Sequence, residues 1–209
     1  LNYLKKKTNI ALLIILVLTF FVFSPVLENG ILKSWDDNDQ ILINKSVQNL
    51  SWQNVKYYFS TDVLQSYQPL ASLSFALEYL IVKKDPLLYH LDNLLLHLLN
   101  IILVFLLLKR IRFLDNPKII FITAIFALHP LQVETVAWIS ARSNLLYVLF
   151  LLLASICYLN FIKKTFSKIT YYILSIFCFS LALFSKSAAI IFPFIVILLN
   201  YFVKEEKNI

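Results

Sequence analysis

Apolar residues gather in six long runs, at about Ile10 to Leu27, Pro86 to Leu108, Lys118 to Leu131, Leu145 to Ile162, Ile169 to Phe184 and Ala188 to Val203. Runs near the roughly 20 residues that carry a helix across a hydrocarbon core predict transmembrane helices. The runs lack the alternation of a barrel strand, so the backbone must satisfy itself within each segment as helix. A seventh stretch, Leu70 to Val82, is a turn or two short of a span and ends on Lys83 and Lys84.

Charge decides how that seventh stretch is read. If it does not cross, four basic clusters share one side: Lys5, Lys6 and Lys7; Lys109, Arg110, Arg112 and Lys118; Lys163, Lys164 and Lys168; Lys204 and Lys207. The positive-inside rule makes that side the cytoplasm. If it crosses, the first cluster opposes the other three. The pattern therefore predicts an all-α polytopic membrane protein with about six transmembrane helices, a cytoplasmic N-terminus and a long first outer loop holding an interfacial or re-entrant helix. Lys83 and Lys84 then lie outside, against the trend of the rule.

Composition agrees with that class. The 209 residues are 60% hydrophobic and 15% charged, with one glycine and a mean hydropathy of +0.76, against roughly 45 to 50% and 25% in soluble domains. The formal charge of +7 follows from basic loops, and no nucleic-acid partner is expected. Cys157 and Cys178 each sit alone in apolar runs and read as small core residues. "LNYLKKKTNIALLIILVLTFFVFSP" has the form of an uncleaved signal anchor. Its first residue, Leu1, points to a non-standard start codon or a trimmed chain. The whole, 1–209, reads as a single transmembrane domain, with no repeat of the 34-residue helical type and so no tetratricopeptide-repeat domain.

Acids sort to the other face. Glu28, Asp36, Asp37, Asp39, Asp62, Glu78, Asp85, Asp92 and Glu134 fall outside or at the outer end of a span, while Asp115, Glu205 and Glu206 fall inside. Four polar clusters share the outer face. In "SWDDNDQILIN", Asp36, Asp37 and Asp39 are either a solvated loop, a cation site or a source of a general base for a bound hydroxyl. The glycine and distal glutamate of a calcium loop are absent, so no metal site is indicated.

In "DPLLYHLDNLLLHLLN", His90, Asn93, His97 and Asn100 share one helix face. His97 and Asn100 read as interhelical hydrogen-bonding residues, and His90 and Asp92 as site candidates. "HPLQVETVAWISARSN" gathers His129, Glu134 and Arg142 after the helix-ending Pro130. Arg142 can fork onto a phosphate or anchor to lipid headgroups. Lys186, in "FSKSAAIIFP", is either a second phosphate contact or a snorkelling lysine. No glycine-rich phosphate cradle, Walker loop, HExxH or GxSxG occurs.

These stretches, with "YQPLASLSFALEYLI", "FALHPLQVETVAWISAR" and "FSKSAAIIFPFIVILL", come in the order found in the transmembrane and tetratricopeptide-repeat O-mannosyltransferase-like family, which the chain resembles over nearly all its length. That family belongs to the GT-C superfamily of multi-span glycosyltransferases. The resemblance implies a membrane enzyme that moves a mannose-like hexose from a polyprenyl-phosphate donor to a hydroxyl acceptor, protein Ser or Thr, on the periplasmic or lumenal face. It places the catalytic base at Asp36 or Asp37 and substrate contacts at His129, Glu134, Arg142 and Lys186, beside the site candidates His90 and Asp92.

No cofactor is required by this reading. The partners it implies are the lipid bilayer, the polyprenyl-phosphate sugar and the acceptor, in a bacterial inner membrane or, in a eukaryote, the endoplasmic reticulum. Relatives commonly carry Arg at Gln68, Asp at Asn144 and Glu or Pro at Ser187. They also continue through further spans and a repeat tail. The alternative is therefore a truncated or split half, a non-catalytic assembly or acceptor-binding module with a partner carrying the missing helices.

Overall fold

A computed structural model describes residues 2–62, 66–111, 114–163 and 168–205. Arg112, Lys164, Glu206 and Lys207, which enter the charge argument, lie outside the described residues, as do the side chains of Lys5, Lys6 and Glu205. No strand occurs among the described residues. The protein is an integral membrane protein in which five helical segments are long and apolar enough to cross a bilayer: Lys7–Glu28, Pro86–Leu108, Ile139–Ile162, Lys168–Ser185 and Ser187–Lys204.

These segments contain α1 (Asn2–Phe23), α5 (Pro86–Leu108), α8 (Arg142–Ile162), α9 (Lys168–Ser185) and α10 (Phe192–Glu205). Between them lie α2 (Lys45–Gln48), α3 (Trp52–Ser60), α4 (Pro69–Val82), α6 (Asn116–Leu128) and α7 (Gln132–Ala137).

The third of the six expected spans is shorter than its apolar run. It is α6, whose 13 residues cover about 20 Å at 1.5 Å per residue, well under a hydrocarbon core of about 30 Å. Proline is the cause. Pro130 has no N–H to give the helix and forces His129 into extended backbone (φ −63°, ψ 134°), so α6 stops at Leu128. The chain turns helical again as α7. Ala127 packs with Ile15 and Ile101, and Val136 with Phe23 and Leu94. α6 and α7 thus follow α1 and α5 in two pieces, as one broken helix.

The same contacts show that α1 and α5 are antiparallel. Leu107 of α5, Leu159 of α8 and Val203 of α10 meet in one cluster, and the Lys163 ammonium bonds the Arg110 carbonyl. Lys7, Lys109, Arg110, Lys163 and Lys204 therefore share one end of the bundle, as the charge pattern predicts. α8 and α9 pack closely over small residues, and Ser175 Oγ donates to the Ala154 carbonyl at 2.9 Å. Cys157 and Cys178, expected to be isolated, are neighbouring free thiols across this pair.

At the other end, the segment between α1 and α5 folds into a small cap layer. Asn44 caps α2 by accepting from the Ser46 and Val47 amides, and Ser51 caps α3. Ile41, Val47, Tyr58, Ala71 and Phe75 pack against Tyr89 and Ile139 at the tips of the long helices. α4 buries Ala71, Phe75 and Glu78 on one face and exposes Leu77, Leu80 and Ile81 on the other. It ends at Lys83, whose φ of 57° turns the chain sharply. The Tyr89 hydroxyl donates to the Lys83 carbonyl at 2.7 Å, and Asp85 then caps α5, with Pro86 at its first position.

Candidate functional site

Adjacent aspartates of the first loop have different surroundings. Asp37 is 1% exposed. Its Oδ1 accepts from the Ser140 amide at 2.9 Å and the Ser140 hydroxyl at 2.5 Å, and its Oδ2 accepts from the Leu32 amide at 3.2 Å. Those bonds tie the loop to the turn that starts α8, where a helix N-terminus favours negative charge. Asp36 is half-buried, and its carboxylate has no partner among the described residues. Asp39 is exposed and lines a polar groove of about 740 Å³ with Asn44, Asn49, Tyr57 and Asp62.

His90 comes from the second turn of α5 and is 2% exposed, with its ring beside the Asn29 and Gly30 backbone and neither nitrogen in a hydrogen bond of regular geometry. Together with Gly30, Leu32, Glu134 and Trp138 it lines a cavity of about 350 Å³. Trp138 also keeps a buried, unpartnered indole N–H, and Trp35 meets its ring edge-on at 5.6 Å. Asp37 lies within electrostatic reach of His90, behind the Leu32 wall. A mostly apolar cavity with a few converging polar groups is the usual form of a ligand site. His129 does not line this cavity: it is exposed, and its Nδ1 accepts from the Leu131 amide at 3.2 Å, closing the turn after α6.

Arg142 departs from the expectation of a phosphate contact. It is 1% exposed. Its Nε donates to Asn93 Oδ1 at 2.8 Å, Nη2 donates to the Tyr89 carbonyl at 2.7 Å, and Nη1 reaches Ser74 Oγ at 3.5 Å and forms an ion pair with Glu78. The Phe75 ring lies 4.7 Å away beneath the guanidinium. A buried guanidinium has to be paired and hydrogen-bonded, and α4 and α5 supply its partners. It is a positioning residue that joins three helices.

Glu78 is the counter-ion that the sequence reading did not single out. Its signal is there all the same, because it is the one charged residue in the apolar run "PLASLSFALEYLIV". Burial pushes its carboxyl up to about 8, the Arg142 guanidinium opposes that rise, and nearby Asp92 adds to it. Asp92 and Arg142 also reach a groove of about 310 Å³ whose walls are Leu95, Leu99 and Leu146.

Lys186 is half-exposed between α9 and the turn Ser187–Ile191, and its ammonium donates to Asn144 Oδ1 at 2.5 Å. Gln68 is 5% exposed and its carbonyl starts α4, while Ser187 is exposed. Among the described residues, no three His, Cys, Asp or Glu side chains are grouped to hold a metal ion. Three of the four sequence clusters thus meet around the His90 cavity and Ser140, and the fourth joins α8 at Asn144.

A multi-span helical membrane protein with a folded cap over a polar site is the class that this architecture defines. The chain is 35% identical to human protein O-mannosyl-transferase TMTC3 over 94 residues, 45% of this chain and 10% of the relative. It is 37% identical to human protein O-mannosyl-transferase TMTC2 over 96 residues, 46% of this chain and 11% of the relative. Protein O-mannosyl-transferase Tmtc1 of Drosophila melanogaster is 36% identical over 93 residues, 44% of this chain and 11% of the relative. The match thus spans about a tenth of the length of these curated relatives. No family model matches the chain, and no solved structure does. Over somewhat under half its length, the chain is similar to the protein O-mannosyl-transferases, the family that its motifs resemble.

Proposed function

We propose that the protein works as a membrane glycosyltransferase, moving a mannose-like hexose from a polyprenyl-phosphate donor to a hydroxyl acceptor, protein Ser or Thr. The reaction takes place on the cap-layer face, periplasmic in a bacterial inner membrane or lumenal in the endoplasmic reticulum. The observation that supports this reading is the cavity lined by Gly30, Leu32, His90, Glu134 and Trp138, with Asp37 of the first loop within electrostatic reach of His90. The names of the relatives support it.

Asp36, unpartnered and half-exposed, takes the proton of the acceptor hydroxyl as that oxygen attacks the anomeric carbon. The bond from the anomeric carbon to the phosphate oxygen breaks, the lipid phosphate leaves with the electron pair, and the anomeric centre inverts. Asp37 holds the loop against Ser140. Lys186 donates to Asn144 and keeps two further N–H directions for an anionic group. His90, Asp92 and Glu134 are hydrogen-bonding contacts for sugar and acceptor.

A second reading, a membrane module that binds acceptor or assembles with a partner without catalysis, is favoured by the internal pairing of Asp37 and Arg142. Membranes carrying the protein, given radiolabelled polyprenyl-phosphate mannose and a Ser/Thr-rich peptide, separate the two. Labelled peptide supports transfer. Peptide retained without label, by protein that is folded, supports the module.

A further inference from the structure

α7 separates two cavities. Val133, Glu134 and Ala137 face the His90 cavity, while Gln132 and Thr135 line a second one, about 350 Å³, deeper along α5. The second cavity is closed by His97 and Asn100 of α5 and by Asn144 and Tyr147 of α8.

Two of its residues carry unanswered acceptors. His97 is 0% and Asn100 1% exposed. His97 Nε2 lies 3.0 Å from the Ala127 carbonyl, which can only accept, so in the neutral ring Nε2 carries the proton and Nδ1 is a bare lone pair. Asn100 Nδ2 donates to the Leu145 carbonyl at 3.0 Å, which fixes the amide and leaves Oδ1 as an acceptor. Neither His97 Nδ1 nor Asn100 Oδ1 has a partner among the described residues. Buried acceptors within a membrane bundle are costly unless something donates to them.

The other polar groups on the wall are neutral. Gln132 and Thr135 make no side-chain hydrogen bond among the described residues, and Asn144 accepts from Lys186. Aligned neutral acceptors, adaptable amide and hydroxyl groups and no full charge on the wall match a ligand rich in hydroxyls. An ionised phosphodiester, which has no hydrogen to donate, does not match two bare acceptors.

We infer that this second cavity is a binding site for a neutral polyhydroxylated group, a hexose or similar polyol, which donates hydroxyl hydrogens to His97 Nδ1 and Asn100 Oδ1. The break at Pro130 makes room for it, because a continuous helix from α6 would carry the chain past the space that α7 leaves. The inference stands on this cavity alone and does not require that the protein transfer sugar.

The test measures binding without turnover. The full chain in lipid nanodiscs is given radiolabelled free mannose, a short-chain polyprenyl-phosphate mannose, or the same polyprenyl phosphate without sugar. Wild type is compared with a Gln132→Leu/Thr135→Val variant, and circular dichroism confirms that both are folded. Saturable binding of a sugar-bearing probe beyond the sugar-free lipid is expected, weakened about tenfold in the variant, the loss of one or two hydrogen bonds. Binding of free mannose identifies a soluble sugar as the source, and binding of the lipid-linked probe alone identifies a headgroup. Equal binding of the sugar-free lipid, or unchanged affinity in the variant, overturns the site and leaves a cavity filled only by water.

Discussion

Asp37 and Ser140 stand 103 positions apart and are joined twice, through the Ser140 amide and hydroxyl, to one carboxylate oxygen. That contact fixes the first loop to the start of α8, beside the turn that carries Arg142. It also gives the two neighbouring aspartates separate work, since Asp37 is bound on all sides and Asp36 is free to act.

Removing the Asp37 carboxylate therefore weakens the fold. Asp37→Ala leaves the buried Ser140 donors without an acceptor, at roughly 1 to 3 kcal/mol for an orphaned buried group. Thermal unfolding in detergent is expected to show a lower midpoint for Asp37→Ala, a smaller drop for Ser140→Ala and none for Asp36→Ala. Equal midpoints for the two aspartate variants would rule out the anchoring role.

Arg142 and Glu78 form the second anchor. At about pH 9, where Glu78 is ionised, Arg142→Met leaves its carboxylate buried beside Asp92 and is expected to cost about 3 to 5 kcal/mol, the usual loss on breaking a buried pair. Arg142→Lys is expected to rescue little, because one ammonium cannot serve the α4 and α5 acceptors that the guanidinium fork reaches. Adding Glu78→Leu to Arg142→Met is expected to recover much of the loss. A double-mutant cycle measures this, and strictly additive losses would contradict the pairing.

Glu78 also gives stability a pH dependence of known sign. Its folded carboxyl stands at about 8, above the usual value of 4.5. A raised folded value favours the protonated form, so this contribution is full below about pH 4.5 and is lost as pH rises through about 8. Unfolding midpoints followed from pH 5 to pH 9 are expected to fall in wild type and to fall less in Glu78→Gln. A steeper fall in the variant would reverse the assignment.

Helices and their shared ends were legible in the sequence because lipid imposes run length and charge asymmetry directly on composition. The His97 and Asn100 crosslinks followed from helical spacing, and both residues do bond across helices. The short α6 was not foreseen as such, although Pro130 was in plain view: an apolar run measures hydrophobic length, while proline decides helix length. The pairing of Arg142 was not legible because its partners lie 49 to 68 positions away, and residue type alone cannot tell a paired guanidinium from a free one. Asp36 and Asp37 could not be separated either, since only the turn at Asn38–Leu42 sends one inward.

Sidedness has its own test. Cysteine placed at position 36 or at position 110, in a background with Cys157 and Cys178 replaced by serine, is exposed to a membrane-impermeant thiol reagent in intact cells or sealed vesicles of known orientation. Position 36 is expected to label from the periplasmic or lumenal side and position 110 only after permeabilisation. The opposite pattern would invert the orientation proposed for the site.

Asp36 as the base of a sugar transfer is tested most directly by an initial-rate measurement with polyprenyl-phosphate mannose and a Ser/Thr-rich peptide. Asp36→Asn, with an unchanged unfolding midpoint, is expected to lose at least about 100-fold in transfer rate, the lower range of a general base's contribution. A folded Asp36→Asn protein that transfers mannose at the wild-type rate would contradict the account.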